Sequence, residues 1–171
     1  MPEIGVNYVY LESDIPNAYA MGFNKKNSII LLTKGLLNKM SPKGIENLIY
    51  HELGHLKEKH LLVLYIVNIF STAVMISILT PIIPYLEQFK LNFLFIGLTG
   101  GFLTMFFVIL VPGLVQKYLE YRADSYATKI LGPELYKETL LELNEITNNG
   151  LEKSSYNYPS LKQRLDNISR R

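Results

Sequence analysis

Two long uncharged stretches divide the chain into parts of different polarity. Residues 61–86 and 91–116 contain no Asp, Glu, Lys or Arg, and each is 26 residues long. As helices they would extend about 39 Å, against about 30 Å of hydrocarbon in a bilayer. A chain of 171 residues is too small to bury both, so they predict a transmembrane helical hairpin. Its turn falls in PIIPYLEQFKLN, residues 81–92, where two prolines are expected to stop the first span.

The flanking parts alternate or repeat with shorter periods. IGVNYVYLE (4–12) alternates and carries Val and Tyr, as a strand does. NAYAMGF (17–23) and SIILLT (28–33), separated by the polar NKKN, complete a small antiparallel sheet. Ser41 and Pro42 supply an N-cap and a first helical residue. The helix they open has Ile45, Leu48, Ile49 and Leu53 on its apolar face. Past the hairpin, a helix follows Pro112 and Gly113, another spans 133–147 after Gly132, and a short one follows Pro159. The predicted fold is α+β: a mostly helical integral membrane protein with a small N-terminal antiparallel sheet and a two-helix transmembrane hairpin. Residues 1–60 and 117–171 are expected to form two halves of one unit outside the membrane, and 61–116 the hairpin. In GLTGG, Gly97 and Gly101 have the spacing that lets membrane helices approach closely, and they are expected to pack the hairpin on itself.

Composition narrows the chemistry. The net charge of +2 and the short ISRR terminus give no basic surface for nucleic acid. Cysteine is absent, so disulfides and thiolate metal sites are excluded and any metal must sit on His, Asp or Glu. The first apolar run does not start at Met1, and no targeting segment is visible. Lys57, Lys59, Lys117 and Arg122 border the open end of the hairpin, whereas the turn carries only Glu87 and Lys90. The positive side is normally cytoplasmic, which predicts a multi-pass protein of the cell membrane with both flanking parts in the cytoplasm.

The chemistry gathers where the first flank meets the first span, in HELGHLKEKH (51–60). His51 and His55, four apart on a helix, project about 40° apart on one face and can grip one Zn²⁺. Glu52 is placed to act as general base on a water at the metal. A catalytic zinc needs a third protein ligand. His60, five residues past His55, lies about 140° around a continuous helix, so it cannot share the metal face and is read as a membrane-edge residue. Glu120 sits four residues after the last position of the second uncharged run, Gln116, and six residues separate His55 from the first. An antiparallel hairpin therefore returns Glu120 to the height of the histidines. Asp124, one turn beyond, is placed to accept the second N–H of a ligating histidine.

HELGHLKEKH, a hairpin, then EYRAD (120–124) resembles the HtpX-type membrane zinc metalloproteases, relatives of the CAAX prenyl endopeptidases. NAYAMG (17–22) is similar to that family's NAFATG segment, and YPSLKQRL (158–165) to its HPSLEERI segment. The resemblance implies a gluzincin endopeptidase with one Zn²⁺ per chain, acting on misfolded membrane proteins at the cytoplasmic face of the lipid bilayer. It assigns His51, His55 and Glu120 as ligands, Glu52 as base and Asp124 as their support. It makes Asn17, Ala18, Tyr19 and Ala20 the strand that binds protein or peptide substrate, and Arg164 a neutraliser of charge near the site. Two features depart from the pattern. Only 16 residues precede NAYAMG where the family has two more spans, which reads as a truncated or a minimal form. Tyr158 replaces the histidine of HP, and its phenol is a candidate donor to a developing oxyanion. Two other readings use the same motif: a membrane sensor protease, which places its spans outside the ligand interval, and an inactive zinc-binding scaffold, which would need no base at position 52.

Overall fold

The computed structural model describes residues 5–22, 27–88 and 93–170. Phe23, most of the NKKN turn, residues 89–92 of the hairpin turn and Ile4 of the first predicted strand lie outside the described residues. Three strands, β1 (Asn7–Leu11), β2 (Ala18–Met21) and β3 (Ile29–Thr33), are followed by α1 (Lys34–Lys39) and α2 (Pro42–Lys57). Then come α3 (His60–Gln88), α4 (Phe93–Thr104), a π-helical stretch (Met105–Leu110), α5 (Val111–Leu131), α6 (Pro133–Ile146) and α7 (Leu161–Ser169).

The sheet is mixed, with strand order β1-β3-β2. β2 pairs antiparallel with β3, as expected, but β1 lies parallel on the other side of β3. Alternation identified β1 as a strand without specifying its partner. Asn17 and Thr33 fix the crossing: Asn17 N–H donates to Thr33 Oγ1 at 2.8 Å, and Thr33 N–H donates to the Asn17 carbonyl at 3.1 Å. β2 is left as a sheet edge.

Ser41 caps α2 by accepting from Gly44 N–H, with Pro42 in the first turn, as the sequence predicts. The Glu142 carboxylate of α6 accepts from both Ser41 N–H and Ser41 Oγ–H, which ties the start of α2 to α6. Ile45, Leu48, Ile49 and Leu53 are all buried, in one core with Ile30 and Leu32 of β3. A second core joins Ala127 of α5, Tyr136 and Leu140 of α6, and Leu161 and Ile168 of α7. Gly132, at φ 86°, ends α5, and Pro133 opens α6 in a single step.

α3 and the α4–α5 helix are each long and apolar enough to cross a membrane. Their large apolar side chains face outward, with Phe70 69% and Leu98 64% exposed, a surface suited to acyl chains rather than water. Pro81 and Pro84 do not stop the first span; α3 runs through both to Gln88. Each proline removes one amide donor. Where no water competes, the other amides have no better partner than their own helix, so the helix persists. The expected role of the glycine pair is also revised. Side chains at Gly97 and Gly101 would meet nothing within 4 Å among the described residues, so these glycines do not pack the hairpin on itself.

Candidate metal centre

α2 packs along α5 more extensively than any other pair of described helices. The two helices come close at Gly54, between the two histidines of the motif. A Cβ there would stand 3.0 Å from Ala123 Cα and 3.1 Å from Tyr126 Cβ. The missing side chain thus lets α5 come near enough to present Glu120 to His51 and His55. Gly54→Val is expected to cost about 1–3 kcal/mol in thermal unfolding. It should also weaken metal binding, because the backbone of α5 must move.

His51 Nε2 and His55 Nε2 are 3.2 Å apart. The Glu120 carboxylate oxygens lie 3.5 Å from His51 Nε2 and 3.6 Å from His55 Nε2. A tetrahedral Zn²⁺ with bonds of about 2.0–2.1 Å separates its ligand atoms by about 3.3 Å. The three side chains therefore already have the spacing of a zinc triangle. The donor set agrees with the geometry: two imidazole nitrogens and a carboxylate close to one another, His51 and Glu120 buried and His55 partly so, which suits Zn²⁺. Asp124 and Glu120 are both brought to this centre. His60 is not part of this group among the described residues.

The outer nitrogen of His51 faces Asp124 and Tyr136, with Arg164 behind them. Asp124, fully buried, sets its carboxylate oxygen 3.1 Å from His51 Nδ1. The Tyr136 hydroxyl donates to Asp124 Oδ1 at 2.7 Å and lies 2.9 Å from His51 Nδ1, where it can only accept. Arg164 forks onto the same carboxylate, with Nε donating to Oδ2 at 2.9 Å and Nη2 to Oδ1. Arg164 Nη2 also donates to the Tyr136 hydroxyl at 3.2 Å. These bonds leave the proton on His51 Nδ1 and turn Nε2 toward the centre. Sequence reasoning missed Tyr136. Its one signal is a tyrosine on the apolar face of α6, which is indistinguishable from a core residue until α6 is docked.

Charge at the centre is set by burial and by these partners. Burial alone would lower His51, but hydrogen bonds to Asp124 and Glu120 outweigh it and raise it to about 9. Burial, then the charge on His51, lower His55 to about 3. Without a metal, a proton on His51 Nε2 thus takes the place between His55 and Glu120. Metal uptake must displace it. Between about pH 7 and 9, one proton per chain is expected to leave as metal binds, and affinity should fall about tenfold for each unit the pH drops. Calorimetric titration in two buffers of different ionisation enthalpy measures that proton directly.

Burial, aided by the nearby Glu120 charge, pushes Glu52 up to about 7, while His51 and the Ala20 backbone N–H pull it down. That bond to Ala20 puts the Glu52 carboxylate against the outer edge of β2. A cleft of about 500 Å³ runs past it, lined by Asn17, Ala18, Tyr19 and Ala20 on one wall and by the three ligands on another. Tyr158 lines the same cleft, half exposed, its phenol raised by burial and by the Glu120 and Glu52 charges. Arg164 borders the cleft too, but its guanidinium is spent on Asp124 and Tyr136.

His60 differs most from its expected surroundings. α2 ends at Lys57, and Lys59 takes a left-handed backbone, φ 55°, before α3 begins. This break removes the continuous helix on which the 140° estimate depended. His60 stands at the start of the first membrane-suited helix, as expected, but it is 2% exposed and lies against His55.

Fold and site together bring a helix-borne HExxH motif and Glu120 into a group that could hold a metal ion, on a scaffold with two helices long and apolar enough to cross a membrane. The sequence model of Peptidase family M48 matches residues 1–171, and the chain belongs to that family. It is 30% identical over 130 residues to "Protease HtpX homolog" of Persephonella marina, covering 74% of this chain and 44% of that protein. It is 28% identical over 135 residues to "Protease HtpX homolog 2" of Methanosarcina mazei, 71% of this chain and 43% of that one. The chain thus spans less than half the length of these relatives. The crystal structure of S. mikatae Ste24p superposes with a TM-score of 0.70 over 94% of this chain and 44% of that chain, at 20% identity, a likeness of fold.

Proposed function

We propose that the chain is the catalytic core of a zinc-dependent endopeptidase that works at the cytoplasmic face of a membrane. The observation that carries this reading is the zinc-spaced triangle of His51, His55 and Glu120 beside a carboxylate, Glu52, that touches a free sheet edge. Zn²⁺ held there supplies a Lewis acid that acidifies water and polarises a carbonyl. The remaining work falls to the chain. A substrate in extended form adds to the edge of β2 at Asn17–Ala20, which holds its scissile bond across the cleft. Glu52 takes the proton of the attacking water on its carboxylate and passes it to the leaving amine. Asp124, Tyr136 and Arg164 fix the ring of His51. Tyr158 stands on the far side of the cleft as a donor to the oxyanion.

The flanking cations Lys57, Lys59, Lys117 and Arg122 support the cytoplasmic orientation, and the outward apolar surface of α3 and α4 supports residence in the bilayer. An active site at that boundary suits membrane proteins whose segments have left the bilayer, and hence membrane protein quality control. The test is casein cleavage by detergent-purified protein: loss with a chelator and recovery with Zn²⁺ are expected, and cleavage indifferent to both would refute the reading. Orientation is tested separately. Because the chain has no cysteine, Lys43→Cys and Gln88→Cys can each be labelled in cells with an impermeant maleimide. Only Gln88→Cys should react from outside.

A further inference from the structure

Beyond the ligands, the described residues hold a second line of polar contacts that the proposed mechanism does not use. It runs from the outer nitrogen of His55 along the boundary between α2 and α3. His55 Nδ1 and His60 Nδ1 are 2.9 Å apart. His60 Nε2 lies 3.2 Å from Glu58 Oε2, and Arg122 Nε donates to the same oxygen at 3.0 Å. The two imidazoles meet edge to face, their planes 84° apart, so the ring nitrogens rather than the ring faces make the contact.

The proton arrangement along this line has one self-consistent direction. The Glu58 carboxylate can only accept, so His60 Nε2 must carry a hydrogen. A neutral His60 then presents a bare Nδ1, which accepts from His55 Nδ1–H. A neutral His55 with its hydrogen on Nδ1 has a bare Nε2, and that is the nitrogen turned toward His51 and Glu120. The reverse arrangement would set a bare His60 Nε2 against the carboxylate and put a hydrogen on the ligating nitrogen of His55.

We infer that His60 is a positioning residue which, with Glu58 and Arg122 behind it, fixes the tautomer and ring orientation of His55 for metal binding. Among the described residues His55 has no carboxylate of its own at Nδ1, whereas His51 has Asp124. The imidazole of His60 extends the reach of Glu58 by one ring, so each ligating histidine ends on an anion. The device depends on the left-handed turn at Lys59, because without that turn His60 would face away from His55. It also places the support of a metal ligand on the first residue of the first membrane-suited helix, so the position of α3 bears on the centre.

This inference rests on the zinc reading of the triangle, and two measurements separate them. The first is imidazole ¹⁵N spectroscopy of the full chain in detergent micelles, practical because there are three histidines in all. A through-hydrogen-bond ¹⁵N–¹⁵N coupling is expected between His55 Nδ1 and His60 Nδ1, with the proton bonded to His55. A missing coupling, or a proton on His60 Nδ1, overturns the inference. The second is Zn²⁺ affinity. His60→Leu should weaken it about 10- to 100-fold. His60→Asn, whose Oδ1 falls where Nδ1 was, should recover most of the loss. Glu58→Gln, at a partly exposed position that tolerates change, should weaken it by a smaller factor and serves if His60→Leu does not fold. Affinity within twofold of the parent in both His60→Leu and Glu58→Gln overturns the inference while leaving the zinc site standing. A parent chain that binds no Zn²⁺ yet shows the coupling overturns the zinc reading and leaves the relay itself supported.

Discussion

Glu52→Gln is expected to bind Zn²⁺ as tightly as the parent and to cleave casein about 10²–10⁴ times more slowly. Glutamine has the shape of glutamate, and its amide oxygen can still accept from the Ala20 N–H, so the wall of the cleft is preserved. What is lost is the one group at the edge of β2 able to take a proton from water and return it. Burial already raises Glu52 to about 7, so the carboxylate gives up its proton near neutral pH and regains it readily, as a shuttle must. Replacing a buried charge with a neutral amide should not reduce thermal stability. Metal content, melting temperature and turnover, measured together, test the assignment. Unchanged turnover would remove Glu52 from the mechanism, and loss of metal would make it a ligand instead.

The second large effect is expected on stability. Asp124 and Arg164 are both buried, and they neutralise one another beside Tyr136. Removing one partner leaves a charge with no water and no counter-ion. Asp124→Leu is therefore expected to destabilise the protein by about 3–5 kcal/mol, as is Arg164→Met. The double variant should recover much of the loss, since an apolar pair of similar volume has no charge to desolvate. Even so, it would leave His51 Nδ1 with the Tyr136 hydroxyl alone, so metal affinity should stay low after stability returns. Single variants that each cost less than about 1 kcal/mol would show the pair to be better hydrated than its burial implies.

Much of the centre was legible because local rules place it. A serine–proline start and four apolar positions define α2 and its face, which fixes where His51, Glu52 and His55 point. His55 lies six residues before the first uncharged run and Glu120 four residues after the second, which brings them within a turn of the same height, and helical periodicity puts Asp124 on the same face as Glu120. What was not legible depends on docking or on a break in regularity. Tyr136 reaches His51 only because Glu142 and the second core seat α6 against α2. His60 was misjudged because the left-handed turn at Lys59 carries no glycine to announce it. β1 has strand character on its own, but its parallel pairing is decided by the segment that crosses to β2. Pro81 and Pro84 would end a helix in water, and the outward apolar surface of α3 indicates a solvent in which that rule relaxes. Gly97 and Gly101 have a spacing that permits close packing without requiring it.

The π-helical stretch at Met105–Leu110 carries a further consequence for the centre. A widened turn of this kind amounts to one residue more than an α-helix would use over the same rise. Each residue turns a helix by about 100°. Without the extra one, everything downstream on α5 would be set back by that angle, and Glu120 would turn away from the two histidines. The azimuth of the third ligand is therefore fixed far from it, about ten residues earlier and inside the apolar region. In that sense the middle of the second span acts as a compass setting for the metal centre. An insertion or deletion there would turn Glu120 away from His51 and His55.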